Sequence, residues 1–261
     1  MSAFSAWCLR SGGMSWALGL VLVASCTSTR GSNGSFPPER AHAVRQAPYD
    51  VEHYALELDL DPVAQKIAGS ARVRLAARER GLREIELDFV DLTVRSVEDE
   101  RGEPLKFAHD DGVLAIQLAR AVPPGEFVEV RVRYDGVPRR GLYFADIEDG
   151  VATQVFTQGE CEDSRGWFPC FDFPSDRATS ELSVTLPAKW TAVAAGERVE
   201  RRELGGGRAF ERWRMTTPHP AYLTTLVAGD FAVQHGEWDG IPLLYLADPK
   251  LEPFMDRRFA E

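Results

Sequence analysis

Apolar and polar side chains alternate one for one along much of this chain, and that period decides what it can fold into. In Tyr54-Ala55-Leu56-Glu57-Leu58-Asp59-Leu60 the apolar positions alternate with small or acidic ones. Ile85-Glu86-Leu87-Asp88-Phe89, Leu114-Ala115-Ile116-Gln117-Leu118, Val128-Glu129-Val130-Arg131-Val132-Arg133-Tyr134 and Leu182-Ser183-Val184-Thr185-Leu186 repeat the pattern. An extended backbone sends successive side chains to opposite faces, so each segment gains one face for a core and one for water. Antiparallel sheets have this character. Turn residues separate the segments at Arg101-Gly102-Glu103-Pro104, Asp110-Asp111-Gly112, Pro123-Pro124-Gly125 and Gly205-Gly206-Gly207. No long amphipathic helix interrupts them. The expected fold class is all-β, an antiparallel β-sandwich or saddle. A length of 261 residues with 44% hydrophobic content is ample for its core.

The texture changes at the two ends. Leu251, Phe254, Met255 and Phe259 fall at helical spacing, with Pro253 suited to a first turn. A short C-terminal helix is expected from about Pro253, cut off after little more than two turns. Isolated helices of that length are marginal in water, so its apolar face is expected to need a partner from outside this sequence. At the other end, Arg10 flanks an apolar run, Met14 to Ala24, too short for a comfortable membrane span. Residues 1–25 are expected to be an export signal. Val23-Ala24-Ser25-Cys26 reads as a bacterial lipobox, in which the Cys26 thiol receives lipid and becomes the mature N-terminus. An ordinary cleaved secretory signal is the other reading. Several acyl chains on one cysteine anchor durably, where a single chain binds reversibly. Residues 26–47, rich at first in Thr, Ser, Gly, Asn and Pro, are expected to be a flexible tether. The expected location is therefore exported, lipid-anchored to a bacterial membrane on its periplasmic or cell-surface side.

Charge narrows the partners. The net charge is −10 and no basic stripe or interleaved aromatic platform is present, which argues against nucleic acid. An acidic substrate is disfavoured, while cationic groups such as peptide N-termini are permitted. Cys8 would leave with the signal and Cys26 would carry lipid, which leaves Cys161 and Cys170. An oxidising compartment allows a bridge between them; two separate thiols are the alternative.

One segment stands apart: Thr157-Gln158-Gly159-Glu160, continuing through Cys161-Glu162-Asp163-Ser164-Arg165-Gly166-Trp167-Phe168-Pro169-Cys170-Phe171-Asp172-Phe173-Pro174. It resembles the substrate-recognition loop of the zinc aminopeptidases related to aminopeptidase N and leukotriene hydrolase. Tyr49-Asp50-Val51-Glu52-His53-Tyr54 is similar to the opening strand of that family's N-terminal domain, and Gly141-Leu142-Tyr143-Phe144 to the segment before the loop. The run Ala221 to Phe231 is similar to a late core strand. The order is collinear. The resemblance implies an N-terminal β domain of the saddle type over residues 48–248. It also implies that residues 249–261 begin a catalytic domain not present in this sequence.

The resemblance also assigns roles. Glu160 matches the loop glutamate that contacts the peptide α-amine, and Gln158 the residue lining the first side-chain pocket. Gly159 is expected to let backbone approach the ligand closely. A carboxylate facing the first residue binds a free ammonium but leaves an internal peptide without a countercharge. Such a charge-assisted hydrogen bond is worth about 1.5–3 kcal/mol, enough for a preference of one to two decades. Along an extended segment positions 158 and 160 point the same way and Gly159 the other. Trp167, Phe168, Phe171 and Phe173 are expected to pack the loop base against the sheet. Arg165 and Asp172 are expected to form an ion pair, either one that holds the loop rigid or a surface pair of little value.

Zinc hydrolysis in that family uses His-Glu-x-x-His on a helix plus a further glutamate. The five histidines here are His42, His53, His109, His219 and His235, and no two lie four apart. No Ser or Cys sits in a nucleophile elbow and the glycines fit no phosphate loop. No metal ligands and no cofactor are expected in this chain, zinc belonging to complete family members. The expected function is the N-terminal substrate-recognition domain of a zinc aminopeptidase, inactive alone. Its partners would be peptide N-termini and a catalytic domain encoded separately or downstream. The alternative is a stand-alone exported lipoprotein module that binds peptide N-termini or a partner chain.

Overall fold

A computed structural model describes residues 45–259; the expected signal, Cys26 and the expected tether up to residue 44 lie outside the described residues. The strands β1 (Tyr49–Asp61), β2 (Lys66–Ala77), β3 (Leu82–Asp88), β4 (Thr93–Asp99), β5 (Phe107–Asp110), β6 (Val113–Val122) and β7 (Phe127–Gly136) come first. Next, β8 (Leu142–Glu148) and β9 (Val151–Thr157) lead into a long connection. Beyond it lie β10 (Ala178–Pro187), β11 (Thr191–Ala194), β12 (Glu197–Gly205) and β13 (Arg208–His219). The run closes with β14 (Leu226–Gly229), β15 (Ala232–Trp238), β16 (Ile241–Ala247) and the helix α1 (Glu252–Phe259).

These strands form a seven-stranded sheet in the order β12-β13-β10-β1-β2-β7-β4, a four-stranded sheet β11-β14-β9-β8, a three-stranded sheet β3-β6-β5 and the hairpin β15-β16. The alternation reads out as expected. Leu56, Leu58 and Leu60 of β1, Val73 and Leu75 of β2 and Val130 and Val132 of β7 are buried on one face of the large sheet. They share one core with Ile85 and Leu87 of β3, Ile116 of β6, Val155 of β9 and Leu226 of β14. Burying such side chains is the dominant favourable term in folding. The β15-β16 hairpin contributes nothing to that core, and most of its side chains are exposed.

The all-β, antiparallel class holds, and three details within it differ from what the residue pattern suggested. β1 and β10 pair in parallel, His53 opposite Thr179 through Asp59 opposite Thr185, while the other strand pairs are antiparallel. Period two is the same in either chain direction, so alternation alone cannot give orientation. The run from Ala221 to Phe231 is only briefly a strand. It begins as a 3-10 turn at Ala221–Leu223, after Pro220, and pairs only over β14. Finally, Arg45 and Ala47, assigned to the tether, belong to the packed body. Arg45 lies 4.6 Å over the Phe171 ring and Ala47 packs against the core.

Candidate functional site

The loop grows directly from a strand. After β9 the N–H of Gln158 donates to the Gly141 carbonyl at 2.9 Å, so the chain remains extended past Thr157. Gln158 and Glu160 are exposed and Gly159 between them is buried. Neither polar side chain has a hydrogen-bond or ion-pair partner among the described residues. Gly159 also has a reason within the fold to be glycine. A Cβ there would lie 2.6 Å from the Tyr222 carbonyl oxygen and 2.8 Å from Ser164 Oγ. The close approach it permits is to the protein's own turn at Ala221–Leu223.

Beyond Glu160 the chain curls back. The Glu160–Cys161 peptide is cis, and the N–H of Asp163 returns to the Gly159 carbonyl at 2.9 Å. One 3-10 turn at Ser164–Gly166 follows, pinned where Ser164 Oγ donates to the Ala221 carbonyl at 3.0 Å. Gly141, at φ +74°, sits against the Asp163 carbonyl oxygen, which would collide with any Cβ. The start of β8, the loop and the Ala221 turn thus close on one another.

The loop base is built as expected. Trp167 and Phe168 are fully buried, and Phe168 meets Tyr54 edge-on at 5.5 Å between ring centres. Phe171 is buried against Tyr49, with half-buried Phe173 beside it. The N–H of Phe171 donates to the Tyr54 hydroxyl at 3.1 Å. The Arg165–Asp172 pair is the supporting kind: both the N–H and Nε of Arg165 donate to Asp172 Oδ2 at 3.1 Å, and Asp172 is 1% exposed. Arg165 also donates through Nη2 to Glu162 at 2.8 Å. Burial pushes the Asp172 carboxyl up to about 6, although the Arg165 bonds pull the other way. Burial pushes Asp176, at the loop's exit, up to about 7; the Val51 N–H bond at 3.3 Å opposes this and nearby Asp50 adds to it.

Asp88 organises this base and was not singled out from the sequence. Its carboxylate accepts from Arg45 Nη1 at 2.7 and 2.5 Å and from the N–H of Asp172 at 2.9 Å, with Arg165 Nη1 at 3.7 Å. Its backbone exchanges two hydrogen bonds with Cys170, at 2.7 and 3.1 Å. Strand alternation alone would send Asp88 to solvent opposite Leu87, yet both are buried. Its one sequence signal was its position beside the apolar pair Phe89-Val90 at a strand end.

The two cysteines are free thiols: Cys161 is exposed on the loop and Cys170 is fully buried in the core. Burial pushes the Cys170 thiol well up, with the carboxylates of Asp172 and Asp88 acting in the same direction. Among the described residues no three His, Cys, Asp or Glu side chains are placed to hold a metal ion. The described histidines have other partners or none near by: His53 bonds Thr179, His109 stacks on Phe89, His219 bonds Thr217 and Thr224, and His235 is exposed. The described residues do not fit a zinc site.

Comparison with known proteins gives this geometry its family. The description "Peptidase M1 N-terminal domain" matches residues 50–223, more than half of the chain. The chain belongs to the M1 peptidase N-terminal domain family. It is 25% identical to aminopeptidase B of Mus musculus over 210 residues, 70% of this chain and 32% of that protein. It is 36% identical to aminopeptidase N of Acetobacter pasteurianus over 98 residues, 38% of this chain and 28% of that one. The M1 zinc metallopeptidase from Deinococcus radiodurans superposes with a TM-score of 0.65 at 27% identity, over 74% of this chain and 44% of that chain. A mutant of that enzyme bound to a Tyr-Ser-Ala substrate superposes at 0.64. The chain spans about a third or less of the length of these curated relatives.

Proposed function

We propose that this chain is the substrate-recognition domain of a zinc aminopeptidase, in which Glu160 takes the α-ammonium of a peptide and Gln158 borders its first side chain. One observation carries the reading. On a loop whose base is fully clamped, the Glu160 carboxylate is exposed and has no partner of its own. Its charge is available to an incoming cation, and the Gln158 amide beside it can both donate and accept. A loop already ordered by Asp88, Tyr54 and Ser164 loses little further freedom when a ligand arrives.

Hydrolysis would fall to a zinc-bearing domain supplied by sequence outside this chain; none of its steps belongs to the residues described. Export and attachment through lipid on Cys26 are part of the same proposal, and the mass of the mature N-terminal peptide tests them.

The test of the recognition role is calorimetric titration of the full chain with Tyr-Ser-Ala and with its N-acetyl form. The free peptide is expected to bind, and acetylation or Glu160→Gln to weaken binding by roughly ten- to hundredfold. Equal affinity for the two peptides, or an unchanged affinity in the variant, removes the assignment. Binding of neither peptide removes the recognition role for the isolated chain.

A further inference from the structure

On the outward face of the seven-stranded sheet, Arg72 of β2 stands directly opposite Arg131 of β7. Both are half-buried, and neither has a hydrogen bond, ion pair or ring contact among the described residues. The Nε of Arg72 is buried without an acceptor. Other arginines of this face are matched: Arg133 with Glu98 at 3.6 Å, Arg212 with Glu200 at 3.0 Å and Arg214 with Glu181 at 3.0 Å. Arg74 stacks on Phe127 at 4.5 Å. Like charges directly opposite in an antiparallel pair destabilise it, and a buried donor left without an acceptor loses its hydration uncompensated. Arg212 Nε on this face is also buried without an acceptor, but that side chain keeps Glu200 through Nη2. Glu98 stands opposite Arg131 on its other side and pairs with Arg133 instead. Arg72 and Arg131 thus combine like charges face to face with a buried donor on Arg72 that has no acceptor.

Arg72 also borders a trough of about 750 Å³ on the same face. Its floor is made of small side chains, Ala55 on β1, Ser70 on β2 and Ser183 on β10, and Glu57 and Glu181 flank it. We propose that Arg72 and Arg131 bind a compact oxyanion, the phosphate or carboxylate group of a small molecule whose remainder lies in the trough. Two guanidinium forks meet the planar geometry of such a group, and an anion between them would relieve both the repulsion and the missing acceptor. Ser70 and Ser183 add hydroxyls able to donate or accept. The flanking carboxylates and the net charge of −10 select against a polyanion, so a single charged group fits better than a nucleic acid. The site is independent of the loop and of its proposed role.

Thermal unfolding of the full chain tests it, in inorganic phosphate, in acetate and in sodium chloride at equal ionic strength. Phosphate is expected to raise the melting temperature by about 2–4 °C over chloride, increasing with concentration. A rise with acetate and not phosphate assigns the carboxylate form of the same site. Arg72→Gln and Arg131→Gln should each abolish the rise and, in chloride, melt no lower than the unsubstituted chain. Arg139→Gln, an exposed arginine elsewhere, should keep it. No rise with either anion, a rise that survives in both site variants, or its loss in the Arg139 variant overturns the proposal.

Discussion

The carboxylate of Asp88 accepts the main-chain N–H of Asp172 at 2.9 Å, so an acid at the end of β3 holds the stretch on which a second buried acid sits. The same carboxylate takes Arg45 and lies near Arg165. Asp88→Asn keeps the shape but leaves two partly buried arginines short of a countercharge. It is expected to lower stability by about 2–4 kcal/mol in urea unfolding. Limited proteolysis should cut the variant sooner within residues 160–177. Unfolding and proteolysis curves that superimpose on the unsubstituted chain would show that this network does not hold the loop.

Gly141 is a second support, acting through space instead of charge. Its φ is +74° and a side chain there meets the Asp163 carbonyl oxygen. Gly141→Ala is expected to cost about 2–4 kcal/mol, combining left-handed backbone with overpacking against main chain. Gly81→Ala, also at positive φ but in open space, provides the comparison. The gap between the two, read by denaturant midpoint, isolates the loop contact.

Asp176 makes stability depend on pH in a defined direction. Its carboxyl is pushed from 3.8 up to about 7 by burial, so the folded chain keeps a proton that the unfolded chain has released. The stability this provides is complete below about pH 4 and is lost as pH rises through about 7. Asp172, raised to about 6, acts in the same direction over a narrower window. Asp176→Asn cannot titrate and still offers an oxygen to the Val51 N–H. The stability difference between variant and parent should move in the variant's favour by on the order of 3–4 kcal/mol between about pH 4 and pH 8. A difference independent of pH would contradict the assignment.

The two loop cysteines should behave oppositely towards thiol reagents. Cys161 is exposed and should label in the native state, whereas Cys170 is fully buried and should label only after unfolding. Peptide mass mapping before and after denaturant distinguishes them. A Cys161–Cys170 cross-linked peptide in unreduced protein would overturn this picture.

Zinc added to the full chain with an aminoacyl chromogenic substrate should give no turnover above the blank. Zinc-dependent release of the chromophore would place a catalytic centre where the described residues offer no ligand set.

Much of the fold was legible because period two is a local property. Leu56, Leu58 and Leu60 could be assigned to a core from their own spacing. The parallel β1-β10 pairing could not, since direction is a long-range relation and alternation reads the same both ways. At the loop, the aromatic base and the Arg165–Asp172 pair were readable from the residue types. The parts that tie it down were not, because they come from distant positions whose local pattern implied something else. Asp88 looked like the solvent face of a strand, Arg45 like tether, and Ala221 like the start of a strand. Gly159 was legible as a point of close approach, whereas the turn at Ala221–Leu223 that it approaches lies far along the chain and could not be read locally.

The Tyr54 hydroxyl that meets the Phe171 N–H belongs to the very strand that runs alongside β10. The exit of the loop therefore stands on neighbouring rails of one sheet while its entry, with Glu160, rises from β9 of another, and a shift of one sheet against the other would tilt Glu160 as a lever tilts its tip. Substitutions beneath the rails, far from any peptide, should then change the aim of the carboxylate without touching it.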